Sequence, residues 1–240
     1  VTLDRPPVNV LDLAMIGELD RICGALALEA EISAVVVRGA TPKAFSAGVA
    51  VQDHTPDKVE EMLHKLHGAI RKLRDLDAVT IAAVSGHCLG GGMEVALGCD
   101  WVVADETARF SQPEIKLGCY PPVAAALYPQ IVGAARTLEL LISGRTLEID
   151  EAEKLGFVTF RALEGKLDAK LAQVLGSIEE QSAAVVRLTK RAVRMGRDLP
   201  FTEALDATER LYLDELCHTE DMAEGLQAFL EKRAPSWRHR

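Results

Sequence analysis

The sequence predicts an α/β fold of stacked ββα units followed by a helical appendage, and three observations predict it. Short apolar runs of β-type residues, Ala34 to Val37 and Val79 to Val84, alternate with amphipathic helical stretches, as a sheet covered by helices requires. Three consecutive glycines, Gly90, Gly91 and Gly92, stand where the second run gives way to a helical pattern, so a strand-to-helix turn there must let the backbone approach something closely. Past Gly165 the pattern is helical throughout, which divides the chain into an α/β core at 1–164 and a helical region at 165–240.

In chain order, Val1-Thr2-Leu3 reads as a strand that Pro6 and Pro7 end, since proline cannot donate to a ladder. The chain opens inside that run, so residues preceding Val1 are expected in the natural protein. Leu13, Ile16, Leu19 and Ile22 recur at helical spacing and predict a helix from Leu13 to Ala30. Ala34 to Val37 is apolar throughout and reads as a strand buried on both faces. The loop Thr41 to Val49 carries small residues at Ser46, Ala47 and Gly48 that permit close backbone approach. Thr55-Pro56-Asp57 predicts a helix start capped by threonine, and an apolar stripe from Val59 to Leu73 carries the helix to Asp75. Trp101 to Ala104 and Ala108 to Phe110 are short strands. Ala134 to Ser143 is a helix stopped by Gly144, Asp150 an acidic cap with Glu153 three positions on, and Phe157 to Arg161 the last strand. The helices Leu167 to Ile178, Ala183 to Met195, Phe201 to Leu216 and Asp221 to Lys232 follow; no internal repeat is visible.

Composition narrows the function. A chain of 240 residues, 48% hydrophobic and 26% charged, is an ordinary globular protein able to bury a sizeable core. Its net charge of −9 argues against general nucleic-acid binding, which rests on clustered Lys and Arg, although a local basic patch for a phosphorylated ligand is compatible with it. Five cysteines without a C-x-x-C pair fit a reduced, cytoplasmic setting better than a disulfide framework or zinc site. No apolar run reaches the length of a membrane span, and no signal-peptide pattern opens the chain.

The chemistry centres on two glutamates. Glu94 lies in the first turn of the helix opened by the glycines, beside amides that helix geometry leaves without partners and that suit a developing oxyanion. Glu114 follows in Phe110-Ser111-Gln112-Pro113-Glu114, fixed behind a proline after a strand-like run. Two carboxylates near one glycine-rich turn point to acid/base work on a substrate that forms an oxyanion. Competing readings are weaker. Ser46 lacks the G-x-S-x-G elbow and paired base of a nucleophile. His54, His64 and His67 have no third ligand of suitable spacing, so no metal is expected and a solvated or pocket-lining surface accounts for them. Leu89-Gly90-Gly91-Gly92 is not the G-x-G-x-x-G of dinucleotide-binding dehydrogenases, so no redox cofactor is expected either.

The run SGHCLGGGMEVALGCDWVVADETARFSQPEIKLG, with PKAFSAG before it, resembles the crotonase (enoyl-CoA hydratase/isomerase) superfamily along nearly the whole chain. The resemblance implies the crotonase fold, an acyl-CoA thioester substrate that brings its own CoA, and a homotrimer or a hexamer built as a dimer of trimers. It implies that the amides of Ala47 and Gly91 form an oxyanion hole, with Glu94 and Glu114 dividing the proton transfers as a coupled pair. Phe45, Ser46, Gly48, Val49, Gly90, Pro113 and Tyr120 are then expected to bind substrate, though Tyr120 also reads as core filler. Phe229 and Lys232 match positions that reach the CoA of a neighbouring subunit; read alone they are a buried aromatic and a solvated lysine. Arg5-Pro6 matches a pair near the CoA nucleotide, or is simply a turn. Where the family has an aspartate two residues after the loop glycine this chain has Ala50, and where many hydratases are glycine-rich it has Pro122-Val123-Ala124-Ala125-Ala126, a stiffer, bulkier segment that implies a different acyl pocket. Within the family, AVQDHTPDKVEEM and PEIKLGCYPPVAAALYP look like segments of cyclohexa-1,5-diene-1-carbonyl-CoA hydratases, enzymes of anaerobic benzoyl-CoA breakdown that add water to a cyclic dienoyl thioester. A short-chain enoyl-CoA hydratase of fatty-acid oxidation and a homologue that only binds CoA esters are the alternatives.

Overall fold

A computed structural model describes residues 1–29 and 31–240. The chain forms two compact units, Val1–Leu28 with Val35–Leu76 and Thr80–Ala172, and Glu29–Ala34 with Asp77–Val79 and Gln173–Arg240.

The first unit opens with β1 (Thr2–Leu3) and α1 (Leu13–Leu26), whose N-cap Asp12 accepts the amide of Met15. Three repeats of one supersecondary unit follow. β2 (Ala34–Gly39) and β3 (Ala44–Ser46) lead to α2 (Val59–Asp75); β4 (Val79–Val84) and β5 (His87–Leu89) lead to α3 (Gly91–Gly98); β6 (Trp101–Asp105) and β7 (Arg109–Ser111) lead to α4 (Pro122–Ser143). Each repeat gives its first strand to one sheet and its second to another. The five-stranded sheet has the order β1-β2-β4-β6-β9 and the four-stranded sheet β3-β5-β7-β8, with β8 (Leu147–Glu148) and β9 (Phe160–Ala162) completing them. β3, β5 and β7 run parallel and β8 closes antiparallel, with Phe110 opposite Leu147. This is the stacked ββα architecture that the alternation of apolar runs predicts.

Burial follows the apolar pattern. Every residue of β4 is buried, and α1 and α2 pack against each other, joined at the rim by the Lys72–Asp20 ion pair at 2.7 Å. In β2 only Val35 and Val37 are buried, so that strand alternates and is not buried on both faces as its composition predicts.

Several predicted ends move. The helix foreseen to Ala30 stops at Leu26, and Ala30 itself lies outside the described residues. α2 starts at Val59 with no side-chain cap: the Thr55 carbonyl takes the amides of Lys58 and Val59, and the Thr55 hydroxyl turns back to Gln52. Asp150 does not cap α5 (Ile149–Lys154) but pairs with Arg161 at 2.5 Å. The helix predicted at Ala134 is the second half of α4, which begins at Pro122 and breaks at Gly133 (φ 75°, ψ 159°).

α6 (Leu167–Glu179) leads into the second unit, which holds α7 (Ala183–Asp198), α8 (Phe201–Asp214) and α9 (Glu220–Glu231). There the Ser182 hydroxyl caps α7 and bonds to buried Asp221, which also accepts the amides of Arg238 and His239 and so ties down the C-terminal segment. Among the described residues no helix is long and apolar enough to cross a membrane.

Candidate active site

The site is built around Gly90, whose φ of 51° and ψ of −131° turn the chain sharply between β5 and α3. No side chain is tolerated along this turn. A Cβ on Gly90 would lie 2.6 Å from Glu114 Oε1, one on Gly91 2.6 Å from Val49 Cγ2, and one on Gly92 2.6 Å from Ser46 Cβ. The glycine run therefore presses the start of α3 against both the 44–50 loop and Glu114. The Gly90 amide is taken by the Ser111 carbonyl at 2.9 Å, whereas that of Gly91, at the helix start, has no acceptor among the described residues.

The facing loop is locked from beneath. Ser46, fully buried, donates its hydroxyl to the Asn9 carbonyl at 2.7 Å and accepts the Gly48 amide at 3.1 Å. Asn9 Nδ2 donates to the carbonyls of Ala44 and Phe45. Ser46 is thus a loop brace and not a nucleophile. The Ala47 amide donates to the Val8 carbonyl at 2.9 Å, which corrects its expected place in the oxyanion hole. Two residues later the bonding differs. Leu11 bonds the Gly48 carbonyl through its amide and the Ala50 amide through its carbonyl, both at 2.9 Å, leaving the Val49 amide between them without an acceptor among the described residues. Val49 N lies 3.6 Å from where a Cβ on Gly91 would sit, so the two partnerless amides are neighbours. Ala50 keeps its backbone bonds without the carboxylate that the resemblance implies at this position, and buried Asp53 accepts the Leu13 amide at 3.2 Å.

Glu94 is carried by the first turn of α3 and is only 3% exposed. Burial pushes its carboxyl up from 4.5 to about 7, and the negative charge of Glu114 adds to the rise; the Ala124 amide, donating to Oε1 at 2.9 Å, opposes it by stabilising the anion. Glu114 sits on a short 3₁₀ turn, Pro113–Leu117, half-buried, and burial raises its carboxyl to about 7 as well. Two carboxyls balanced near neutrality in one cleft can hold one proton between them. Behind Glu114 lies Gln112, 3% exposed. In the amide orientation that matches every neighbour, Gln112 Nε2 donates to both Glu114 oxygens at 3.1 Å and to the Gly90 carbonyl at 3.3 Å, while Oε1 accepts the Tyr128 hydroxyl at 2.5 Å.

These groups open on a cleft of about 430 Å³ with an apolar wall from Met62, Leu63 and Leu66 of α2. Of the predicted binding residues, Gly48, Val49, Gly90, Pro113 and Tyr120 line it. Tyr120 is 69% exposed and is no core filler. Phe45 and Ser46 do not reach the cleft; both lie buried under the loop. Phe229, 83% exposed, is not the buried aromatic of the family-free reading, and Lys232 ends α9 in a left-handed conformation; both belong to the second unit and neither lines this cleft. Arg5 pairs with Asp12 at 2.8 Å and closes the turn after β1. His54 lines the cleft with Nδ1 3.1 Å from the Ala50 carbonyl, and no metal-holding group of His, Cys, Asp or Glu occurs among the described residues.

Sequence reasoning missed four contributors: the amides of Val49 and Ala124, and the side chains of Gln112 and Tyr128. The amides carry no residue-type signal. Gln112 stands two residues before Glu114 in Ser111-Gln112-Pro113-Glu114, and that adjacency was the available hint.

Comparison with known proteins gives one consistent picture. The family described as enoyl-CoA hydratase/isomerase matches residues 1–240. A cyclohexa-1,5-dienecarbonyl-CoA hydratase of Thauera aromatica is 38% identical over 238 residues, covering 99% of this chain and 92% of the relative. A short-chain-enoyl-CoA hydratase of Clostridium acetobutylicum is 31% identical over 238 residues, covering 97% and 91%. The crystal structure of an enoyl-CoA hydratase from Bacillus anthracis superposes with a TM-score of 0.94 at 31% identity, covering 100% of this chain and 94% of the other.

Proposed function

Because the chain belongs to the enoyl-CoA hydratase/isomerase family and is an enzyme of the hydro-lyase type, we propose that its cleft adds water to a conjugated acyl-CoA thioester through the amides of Val49 and Gly91 and the carboxyls of Glu94 and Glu114. The observation that carries this is the juxtaposition of two partnerless amides with two carboxyls balanced near pH 7 in one cleft.

The chemistry follows from the charge that water addition moves. When the oxygen of water bonds to the β-carbon, the electron pair of the double bond flows onto the thioester oxygen. Two preorganised amides there stabilise that charge, each worth roughly 10²–10³ in rate. One carboxylate of the pair removes a proton from the attacking water, and the partner carboxylic acid delivers one to carbon. The pair starts and ends with a single proton, so the cycle closes without a further acid or base. The substrate brings its own CoA, and the steps require neither metal nor redox cofactor.

The proposed substrate is cyclohexa-1,5-diene-1-carbonyl-CoA, giving 6-hydroxycyclohex-1-ene-1-carbonyl-CoA, the reaction of a step in anaerobic aromatic degradation. The Thauera relative's name supports it, and so does the wall built from Pro121 and Pro122, which lines the cleft where glycines would leave more room. The alternative is a short-chain enoyl-CoA hydratase, favoured by the Clostridium relative. A homotrimer, or a hexamer of two trimers, is part of the proposal: Phe201, Phe229 and Leu230 of the second unit are at least 80% exposed, an arrangement suited to a partner subunit, and Phe229 and Lys232 would then meet that partner's CoA. A reduced, cytoplasmic setting goes with the free thiols of Cys23, Cys88, Cys99, Cys119 and Cys217.

Turnover in H₂¹⁸O tests the reaction type. One ¹⁸O retained per product thioester is expected; a product isomeric with the substrate and free of label would replace hydration by isomerisation.

A further inference from the structure

Tyr128 is the largest of the fully buried side chains, at 0% exposure, and sits in the first half of α4 tilted against Phe157, ring centroids 4.9 Å apart. A hydroxyl in such a place must find a partner, because leaving it dry and unpaired is costly. Its partner is the side-chain amide of Gln112 at 2.5 Å. That contact decides which way the amide lies. With the phenol donating to Oε1, Nε2 is left to face the two Glu114 oxygens at 3.1 Å and the Gly90 carbonyl at 3.3 Å. With the amide reversed, its oxygen would face a carboxylate and a carbonyl, and no proton would lie between them. The chain Tyr128 to Gln112 to Glu114 is thus a one-directional relay of donors, each polarising the next.

We infer that Tyr128 is a positioning residue that acts through Gln112 to aim the Glu114 carboxylate into the cleft and to favour its ionised form. The inference rests on the reading of Glu114 as one of the acid/base pair. Tyr128 does not line the cleft, so it reaches the reaction only through the amide. Sequence position offers no clue to this, since Tyr128 stands among apolar residues sixteen positions from Gln112.

The charged and titratable groups around Glu114 come from several elements. Glu94 of α3 faces it across the cleft, Cys119 lies beyond it on the following loop with Sγ 3.4 Å from the Glu114 carbonyl, and Cys88 of β5 faces Tyr128. His54 lines the same cleft, and Lys116 on the same turn lies against Gly144. Among these, Tyr128 alone is hydrogen-bonded to the amide that holds Glu114. Cutting the relay therefore leaves the other influences in place, and Glu114 should hold its proton more tightly.

The test compares Tyr128→Phe, Gln112→Leu, the double variant and Glu114→Gln with the parent, reading kcat, KM, the pH profile of kcat/KM and the melting temperature. Tyr128→Phe is expected to lower kcat by roughly tenfold with KM within about twofold, and to shift the acidic limb upward by roughly half a pH unit or more, as losing one hydrogen bond to a charged group would do. Gln112→Leu should have an effect at least as large, and adding Tyr128→Phe to it should change little, since both cut one path. Parental kcat and an unmoved limb in folded Tyr128→Phe, or full additivity in the double variant, overturns the inference while Glu114→Gln remains inactive. Turnover retained by Glu114→Gln overturns the acid/base reading and the inference with it. Should Tyr128→Phe not fold, 3-fluorotyrosine at position 128 keeps the ring and supplies a more acidic donor: a downward shift of the limb supports the relay, and no shift overturns it.

Discussion

The backbone amide of Ala124 donates to Oε1 of Glu94 at 2.9 Å in a fully buried contact spanning thirty positions of sequence. It joins the first turn of α4 to the first turn of α3, so the segment expected to reshape the acyl pocket also grips one of the two carboxyls proposed to react. The bond keeps an ionised Glu94 tolerable in a place where burial opposes charge.

That opposition makes Glu94, proposed as one of the acid/base pair, a source of instability as well. Burial raises its carboxyl from the ordinary 4.5 to about 7, so the folded state binds the proton more tightly than the unfolded chain. The group costs nothing below pH 4.5, and its cost grows as pH rises to about 7 and is constant above; the shift corresponds to on the order of 3 kcal/mol as an upper bound. Glu94→Gln, whose amide oxygen can still accept from Ala124, is expected to lose roughly 10²-fold or more in kcat yet to melt higher than the parent at pH 8. At pH 4 the two should melt alike. Denaturation curves at both pH values check the stability claim.

For the parent enzyme, kcat/KM is expected to trace a bell with both limbs near pH 7, since only the singly protonated pair works. Glu114→Gln should flatten the bell along with the rate. A parent profile level from pH 5 to 9 would separate the carboxyls from the chemistry.

Gly90→Ala is expected to fail for two reasons that add. Its φ of 51° and ψ of −131° strain any residue with a Cβ, and the added carbon would sit 2.6 Å from Glu114 Oε1. A stability loss of roughly 1–3 kcal/mol should accompany loss of turnover, both readable on the same preparation.

Ser46→Ala separates brace from nucleophile. Deleting the hydroxyl leaves the Asn9 carbonyl and Gly48 amide without their partner, at roughly 1–3 kcal/mol, while residual turnover persists in the folded fraction. Complete inactivity of a stably folded variant would restore the covalent reading.

How much of this was legible in the sequence depends on what carried each feature. The apolar runs at 34–37 and 79–84 and the glycine turn announced the ββα repeat, because period and glycine are written in residue type. That Glu94 and Glu114 meet at one cleft beside the glycine turn was legible for the same reason. The first oxyanion amide was expected at Ala47, which is bonded to Val8, whereas the amide proposed for that role is Val49; every residue has an amide, and only the bonds made by Val8 and Leu11 reveal which one is spare. The start of α4 at Pro122 was missed because the segment 122–126 was read only as a stiffened pocket wall, although proline suits a helix's first turn. The caps predicted at Thr55 and Asp150 failed because the backbone turn and Arg161 claimed those groups first.

The most direct test of the whole account measures the loss of the conjugated thioester for cyclohexa-1,5-diene-1-carbonyl-CoA and crotonyl-CoA side by side, with products identified by mass. The account predicts a mass gain of one water for the cyclic diene at a kcat/KM well above that for crotonyl-CoA. Preference for crotonyl-CoA would contradict the assigned substrate and leave a short-chain hydratase, and failure of either thioester to gain water would contradict hydration itself.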